Sequence, residues 1–483
     1  MVTKAETQSI RGVAEGIIQP IDSSVRPSTS VYLACNLVFH DKLGRMVVRN
    51  GSTQLGSQIT DGMSCLGLYT HVTTGGTKVP LAVFNATGDA TSVVSKYTSS
   101  TWSNAKTGLT ASAKMRFATF LDTTVRVNGT DVISSTDGAS WVTTGGNLDI
   151  GNMPVGKYVI EFQDRIYTAG VSSNPDRLYF SAVPVGGTIS WTSGNGYIDI
   201  EPEEGAGSIT GLAKVPDYVL IFKERSVKRW DYSSTFPESL VDIGCPSQEG
   251  IVMTKQSVFY FNKRGIYETT GGYPRKVSSR IQDIIDAIPS TYYASVSGWG
   301  DGESVFFSIG DITLEGQTYS NVVVEYRIDT QVWTMHTYPT EIKVWSCMID
   351  SYGDYIVIAG DDDGNVWQMF TGLTDGSTSI PWEVIWKEIE FGSRGKEKTI
   401  SRTIIYSENV PNGVLSVKRD GDDTFRIINN FVSRVSEIKD AYSGNYFDIK
   451  LQGVGAAAEI IGIDFEDIII GTTYGNQFTR TKY

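Results

Sequence analysis

The sequence predicts an all-β protein built on a β-propeller of six or seven blades. A short run of β-forming residues, followed by Gly, Asn or Asp and an aromatic residue, recurs at roughly the 40–50-residue period of a four-stranded blade. The composition agrees, because 50 Gly against 15 Pro, with 24 Tyr and 10 Trp, favours short strands joined by tight turns. So small a unit cannot bury its own apolar face and must pack against its neighbours in a ring. The repeat is found at residues 82–85, 124–129, 165–170, 218–223, 257–263, 304–310 and 354–360.

The chain divides into three predicted parts. Residues 1–30 are rich in Ser and Thr with few apolar residues, so they predict an extended N-terminal arm that dangles or lies across a neighbouring subunit. The propeller is expected over residues 31–375, beginning with a hairpin of two strands near 31–39 and 46–49. Residues 376–483 predict a separate C-terminal β-sandwich.

Two segments within the propeller stand out. In residues 135–141, Asp137 and Gly138 precede Trp141, which resembles the Asp-box of sialidase propellers but has one residue fewer between Asp and Trp. We interpret it as a blade hairpin whose Trp packs between sheets. In residues 276–289 four isoleucines, spaced i, i+3, i+4 and i+7, predict a helix that Ser278 or Ser279 caps and Pro289 ends. The four are Ile281, Ile284, Ile285 and Ile288.

The C-terminal region has its own pattern. Residues 382–391 alternate apolar and polar side chains, which predicts a strand with one solvated face. Residues 393–398 (SRGKEK) predict a charged loop. Further strands are expected at 399–406, 413–418, 446–451 and 460–465.

Charge and apolar content limit the possible functions. The net charge of −13 and a pI near 4.9 argue against ordinary binding of duplex DNA, which needs clustered Lys and Arg. The sequence contains no run of 18 apolar residues, so no transmembrane helix is predicted. Residues 1–16 lack the apolar core of a secretory signal peptide. The four cysteines are far apart and are expected to be buried thiols rather than a disulfide framework or a zinc site: Cys35, Cys65, Cys245 and Cys347.

No catalytic, cofactor-binding or metal-binding residue is predicted, and the chain is not expected to be an enzyme. His40, His71 and His336 each stand alone, and no hydrolase or phosphate-binding motif is present. Two acidic clusters, residues 201–204 and 361–365, could supply a glycosidase carboxylate pair or calcium ligands. The spacing of the second cluster departs from a calcium loop, so a solvated Asp-rich turn is favoured.

Six tryptophans recur at the spacing of blades, which favours packing between sheets over a sugar-stacking surface. They are Trp102, Trp141, Trp191, Trp230, Trp333 and Trp367.

Several motifs, taken in their order along the chain, resemble the β-propeller tail or nozzle proteins of short-tailed bacteriophages, also called stabilization or tail tubular proteins. Asn36, Gly44, Arg49 and Gly51 are similar to an "N … G … R-x-G" opening of that group. The remaining motifs are blade signatures at residues 174–181, 217–225 and 262–267, with Trp191 closing the first.

The resemblance implies a virion component, assembled in the host cytoplasm, that forms a homo-oligomeric ring, usually a hexamer, below the head-to-tail adaptor protein. Such a ring continues the DNA ejection channel, carries tail fibres or spikes, and lets genomic DNA pass without sequence-specific binding or stable membrane insertion. An acidic channel wall would repel phosphates and suit that role. Two alternatives stay open: a carbohydrate-binding or glycan-cleaving propeller, and a scaffold propeller that binds another protein.

Overall fold

A computed structural model describes residues 6–19, 26–39, 44–60, 63–88, 90–200, 207–350, 352–391, 396–455 and 457–470. The chain divides into two compact units. The propeller unit is formed by Ser52–Asp329 and Thr337–Gly372, and the second unit by the described parts of Met1–Gly51, Thr330–His336 and Leu373–Tyr483.

The propeller unit contains seven groups of antiparallel strands in chain order, which we number as blades 1 to 7. Most have four strands, in which each strand pairs with the next along the chain. Blade 1 consists of Cys65–Val72, Lys78–Asn85, Ser92–Thr98 and Thr101–Leu109, blade 2 of Arg116–Phe120, Thr123–Val127 and Val132–Ser135, and blade 3 of Tyr158–Phe162, Arg165–Val171, Asn174–Phe180 and Gly196–Asp199. Blade 4 consists of Ile209–Val215, Tyr218–Lys223, Val227–Trp230 and Glu238–Val241, and blade 5 of Ile251–Met253, Val258–Asn262, Gly265–Thr269 and Arg275–Lys276. Blade 6 consists of Ser297–Gly300, Ser304–Leu314 and Gln317–Arg327, and blade 7 of Ile342–Ile349, Tyr355–Asp361, Val366–Met369 and Ser52–Gln54.

The seven blades form a closed ring. The first strand of every blade contacts the first strand of the next, and that of blade 7 contacts that of blade 1. Apolar clusters fill the spaces between neighbouring blades; between blades 7 and 1, for example, Phe84 and Leu68 pack with Ile358 and Val366. The prediction of a β-propeller with six or seven blades is therefore confirmed.

Ring closure joins strands that are distant in the sequence. Ser52–Gln54 supplies the fourth strand of blade 7 and pairs antiparallel with Val366–Met369, with Thr53 opposite Gln368. The sequence also predicts that residues near 31–60 share a blade with those near 355–370; Ser52–Gln54 does so, whereas residues 31–51 belong to the second unit. Pairing of the last blade by a distant strand covers an edge that would otherwise be open to another chain.

The isoleucine-rich segment forms a shorter helix than predicted. A 3₁₀ turn, Ser278–Ile281, leads into an α-helix at Gln282–Asp286. The four predicted isoleucines are all buried, which confirms the apolar stripe. The predicted serine cap is wrong, since no side chain caps the helix and Ser278 Oγ instead accepts a hydrogen bond from the Ile266 N–H. The other short helices are Gln248–Gly250 and Ser290–Tyr292, and no helix in the described residues is long and apolar enough to cross a membrane.

The second unit is also built of β-strands. One group of strands is centred on Pro381–Ile389 and another on Glu459–Ile470, which agrees with the expected additional C-terminal β domain. Its strands are Glu6–Arg11, Leu33–Cys35, Leu37–Val38, Met46–Val48, Val332–Thr337, Thr374–Asp375, Thr378–Ser379, Pro381–Ile389, Lys398–Ile400, Arg402–Glu408, Gly413–Arg419, Arg426–Phe431, Arg434–Ile438, Tyr442–Gly444, Phe447–Val454 and Glu459–Ile470.

Four sequence-based expectations for this unit need correction. The N-terminal arm does not dangle, because Glu6–Arg11 pairs antiparallel with Glu459–Ile470 of the same chain, and the nearby Ile17 is fully buried. The expected boundaries at 31 and 375 also differ from the observed ones, since residues 31–51 lie in the second unit. The strand near 382–391 has no alternating wet face, because five consecutive residues from Trp382 are buried. Lys398, expected in a charged loop, is fully buried as well.

A buried polar network holds the start of the chain within this unit. Arg49 Nε donates to Asn36 Oδ1 at 2.8 Å, and the two terminal guanidinium nitrogens donate to the Asp375 carboxylate at 3.0 and 2.6 Å. Asn36, whose φ of 58° suits Asn, donates from Nδ2 to the Pro381 carbonyl oxygen. The Arg49 and Asp375 side chains are only 2% and 5% exposed. Asn36 and Arg49, which the sequence analysis singled out in the segment 36–51, therefore hold the fold together.

We expect Arg49→Met to destabilise the second unit by about 3–5 kcal/mol, because it removes the guanidinium group that pairs with the buried Asp375 carboxylate. Hydrogen–deuterium exchange of residues 33–48 during a urea titration would measure the loss. Arg419→Met is the matched control, since Arg419 forms an exposed ion pair with Asp422 and its loss should leave the exchange unchanged. Equal effects of the two substitutions on exchange would contradict the stabilising role of the buried Arg49–Asp375 ion pair.

Candidate functional site

The Asp-rich turn at residues 361–365 is a structural turn, and the expectation that it is solvated is wrong for Asp361. The Asp361 side chain is fully buried, and its carboxylate accepts hydrogen bonds from the backbone N–H groups of Asp363 and Asn365. It also accepts from Asn365 Nδ2 at 3.0 Å and from Trp367 Nε1 at 2.8 Å. Four donors point at this carboxylate, which is an arrangement that orders a turn. The other acidic cluster, residues 201–204, lies outside the described residues.

The truncated Asp-box has the same role in blade 2. Asp137 accepts hydrogen bonds from the backbone N–H groups of Ala139 and Ser140 and from the Ser135 hydroxyl. Burial opposes ionisation of Asp137, but these hydrogen bonds outweigh it and lower its pKa to about 2. Trp141, four residues after Asp137, is 8% exposed and lies in the apolar cluster between blades 1 and 2.

The histidines and tryptophans occupy structural positions. His71 is buried, its Nδ1 lies 2.7 Å from Thr124 Oγ1, and burial lowers its pKa. His336 is buried as well, and His40 lies outside the described residues. Four of the six repeated tryptophans are buried, which confirms their packing role, and Trp102 and Trp367 are half-buried. The four are Trp141, Trp191, Trp230 and Trp333.

Three of the four cysteines are buried as expected: Cys35, Cys65 and Cys245. Burial raises the pKa of Cys65 and of Cys245 to about 12, so both thiols stay protonated at neutral pH. Cys347 corrects the expectation, because it is partly exposed.

A cluster of charged side chains lies at the centre of the propeller ring. Arg116 of blade 2 forms an ion pair with Glu249 at the start of blade 5, at 2.7 Å. Lys114 Nζ donates to the carbonyl oxygens of Cys65 and Lys343, both at 3.3 Å. Blades 2 and 5 are not neighbours, so Arg116 and Glu249 meet across the ring axis. The pair joins opposite sides of the ring at the end where the first strands begin.

The candidate functional site is a cavity of about 980 Å³ at the edge of that same face, which we call the blade 4–5 cleft. Two turns between second and third strands form it: Glu224 and Arg225 in blade 4, and Lys263 and Arg264 in blade 5. The connections from blade 4 to blade 5 and from blade 5 to blade 6 supply its remaining walls. The lining residues from these connections are Asp242, Ile243, Pro246, Ser290, Tyr293 and Ala294.

Local hydrogen bonds fix the two turns of the cleft. Asn262 Oδ1 accepts from the Arg264 N–H at 3.0 Å, and Asn262 Nδ2 donates to the Gly244 carbonyl oxygen at 2.7 Å. A Cβ on Gly244 would lie 1.9 Å from the Lys223 carbonyl oxygen, so the connection can approach blade 4 this closely only because residue 244 is Gly. The two turns and the connection thus hold one another in place.

The charged side chains of the cleft are exposed. Arg225, Lys263 and Arg264 have no ion pair or side-chain hydrogen bond with any residue that the structure describes, and all three lie on its rim. Glu224 and Asp242 are exposed at the same cavity. The arrangement can bind carboxylate or phosphate groups electrostatically.

The opposite face of the propeller is acidic. In the described residues, the turn between the first and second strands carries an Asp or Glu in five of the seven blades and a Lys in blade 5, and in blade 1 a Lys begins the second strand. The acidic residues are Asp122, Asp164, Asp217, Asp301, Glu303, Asp350 and Asp354, and the lysines are Lys78 and Lys255.

The sequence did not predict the cleft. Arg225 and Arg264 each end or interrupt a blade signature, at residues 217–225 and 262–267, but they are 39 positions apart. Only the register of blades 4 and 5 brings the two turns to one cavity. The sequence signal that could have indicated the cleft is that both arginines follow the second strand of a blade.

The sequence matches no known family model and no curated protein. Among solved structures, the chain is similar to the Neurospora crassa Pan2 WD40 domain, with a TM-score of 0.42 and 7% identity over 67% of this chain and 98% of that one. The chain is also similar to the AfRom2 CNH domain, with a TM-score of 0.39 and 10% identity over 66% of this chain and 99% of that one. A third similar structure is the extracellular domain of the hybrid two-component system BT4673 from B. thetaiotaomicron. Its TM-score is 0.42 and its identity 11%, over 81% of this chain and 47% of that one.

We expect Glu249→Gln to destabilise the propeller by about 3 kcal/mol at pH 7, because Arg116 would lose its partner at the ring axis. Burial opposes ionisation of Glu249, but Arg116 and Lys114 outweigh it and lower its pKa below the unfolded value of about 4.3. The stabilisation is therefore present above about pH 4.3 and is lost as the pH falls through the folded pKa.

Urea unfolding of both proteins between pH 3 and 7 would measure this difference, which should shrink at the acidic end. Glu303→Gln is the control, because Glu303 is 72% exposed in its ion pair with Arg327 and should contribute little. A difference that stays constant from pH 7 to pH 3 would contradict the role assigned to Glu249.

Proposed function

We propose that this chain is a structural component of a bacteriophage tail, in a homo-oligomeric ring, a hexamer by the resemblance, below the head-to-tail adaptor. In this role the ring continues the DNA ejection channel and is the attachment platform for fibres or spikes. The observation that carries the proposal is that each of the two units exposes a contact surface of its own. A building block that must touch several neighbours needs such separate surfaces.

The surface of the second unit is a sheet edge, residues 426–438, which we call the sandwich edge. Arg426–Phe431 is the last strand of its sheet, and Arg434–Ile438 pairs only with Arg402–Glu408 among the described strands. Three apolar side chains here are exposed: Ile427 at 66%, Val432 at 56% and Val435 at 61%. Exposed apolar residues on unpaired strand edges are favourable sites for pairing with another chain.

The surfaces of the propeller unit are the blade 4–5 cleft and the acidic face. The cleft offers exposed cations to a partner protein. The acidic turns on the opposite face suit a wall past which DNA moves, since retention of DNA depends on cationic contacts. These features support passage without sequence-specific binding, as the proposal requires.

The blade 4–5 cleft alone would equally serve a scaffold propeller that binds another protein. The sandwich edge favours a tail component over a scaffold propeller, because a scaffold needs no surface for self-assembly. Ring formation is therefore the property that distinguishes a tail component from a scaffold.

We expect the purified chain to assemble into a ring, alone or on its adaptor protein, and the sandwich edge to be required. Replacing Ile427, Val432 and Val435 together by Ser should shift the assembly towards monomers, because the apolar contact is lost. Mass photometry and negative-stain electron microscopy would measure the copy number.

Val185→Ser is the matched control, since Val185 is 78% exposed but belongs to blade 3 of the propeller unit. It should leave assembly unchanged. A chain that stays monomeric with and without adaptor would refute the tail function, and rings unaffected by the triple substitution would refute the role of the sandwich edge.

A further inference from the structure

The cations of the blade 4–5 cleft differ from the ion-paired arginines of the propeller unit. Five arginines of that unit form ion pairs at 2.6–3.1 Å with acidic residues of the same unit. In a chain with a net charge of −13, carboxylates are abundant partners for any exposed cation. Arg225, Lys263 and Arg264 nevertheless stay without an ion pair among the described residues. The paired arginines are Arg116, Arg177, Arg229, Arg275 and Arg327.

The cleft continues as a groove of about 470 Å³ along residues 239–243, at the outer strand of blade 4. Asp242, Ile243 and Arg264 line both the cleft and this groove, so the two spaces adjoin. Apolar side chains accompany the charges, among them Leu240 in the groove and Tyr293 in the cleft. The combined surface is long, partly apolar and basic at its rim.

We infer that the blade 4–5 cleft binds an extended acidic peptide segment of another tail protein. Arg225, Lys263 and Arg264 would pair with carboxylates of the peptide, and Arg guanidinium groups bind carboxylates through two parallel hydrogen bonds. Leu240, Ile243 and Tyr293 would contact apolar side chains between those carboxylates. The inference rests on the proposed function, in which the cleft is a contact surface for a partner.

The same residues disfavour nucleic acid as the ligand. Glu224 and Asp242 stand among the three cations, so the cleft offers three positive and two negative charges. A phosphodiester chain presents negative charge at every step and would be repelled by both carboxylates. A peptide can avoid this repulsion, because neutral or basic residues can lie opposite Glu224 and Asp242.

Fluorescence anisotropy with a labelled octapeptide of alternating Glu and Leu would test the inference on the full-length chain. We expect saturable binding that weakens as salt is added, and a loss of about tenfold in affinity for Arg264→Glu, which corresponds to 1.4 kcal/mol. The matched control is Lys255→Glu, which reverses an exposed charge in the same blade but on the opposite face, and should change affinity less than about twofold.

Two comparison ligands define the outcomes: the octapeptide with Lys in place of Glu, and an eight-nucleotide single-stranded DNA. Weak binding of both supports an acidic peptide as the ligand. DNA binding equal to that of the Glu peptide, or equal effects of the two charge reversals, would overturn the inference.

The melting temperature of each variant shows whether the exposed substitution disturbs the fold. Ring assembly is measured separately by mass photometry. Failure of peptide binding with intact rings would refute the inference alone, whereas failure of ring formation refutes the proposed function.

Discussion

Closure of the propeller ring is the constraint on which the rest of that unit depends. No blade can bury both of its faces alone, so every apolar cluster between blades requires two neighbours. The last space, between blades 7 and 1, is tight, since a Cβ on Gly360 would lie 2.3 Å from the Cys65 sulfur. The pairing of Ser52–Gln54 with Val366–Met369 completes blade 7, and so presents its other strands to blade 1 in register. Residues more than 300 positions apart in the sequence thus fix the ring.

The centre of the ring bears on how the proposed tail component would conduct DNA. Arg116 and Glu249 meet across the axis, and Lys114 joins blade 2 to the carbonyl oxygens of blades 1 and 7. These side chains occupy one end of the propeller axis, so the axis of a single propeller does not serve as the passage. In the proposed ring, DNA would pass between copies of the chain. The acidic turns could line that passage, whereas cations at the axis would serve stability.

Much of the fold could be predicted because its signals are local. The spacing of strands and turns predicted the propeller, and the 3.6-residue period of Ile281, Ile284 and Ile285 predicted a buried helical face. The polar residues were harder to interpret. Asp137 and Asp361 have the residue types of a binding loop, yet hydrogen bonds within the turn occupy their carboxylates. The backbone geometry of the turn determines whether a carboxylate accepts hydrogen bonds from nearby N–H groups, and the residue types alone do not show that geometry.

What escaped prediction depends on contacts between distant segments. Glu6–Arg11 has too few apolar residues to predict burial, and it is ordered by pairing with Glu459–Ile470, more than 450 positions away. The blade 4–5 cleft likewise exists only because two turns from successive blades reach the same cavity. Each turn contributes one or two cations, which is too few for a sequence signal. In an acidic chain, the informative feature is three neighbouring exposed cations without an ion pair among the described residues, and only the folded chain brings these three together.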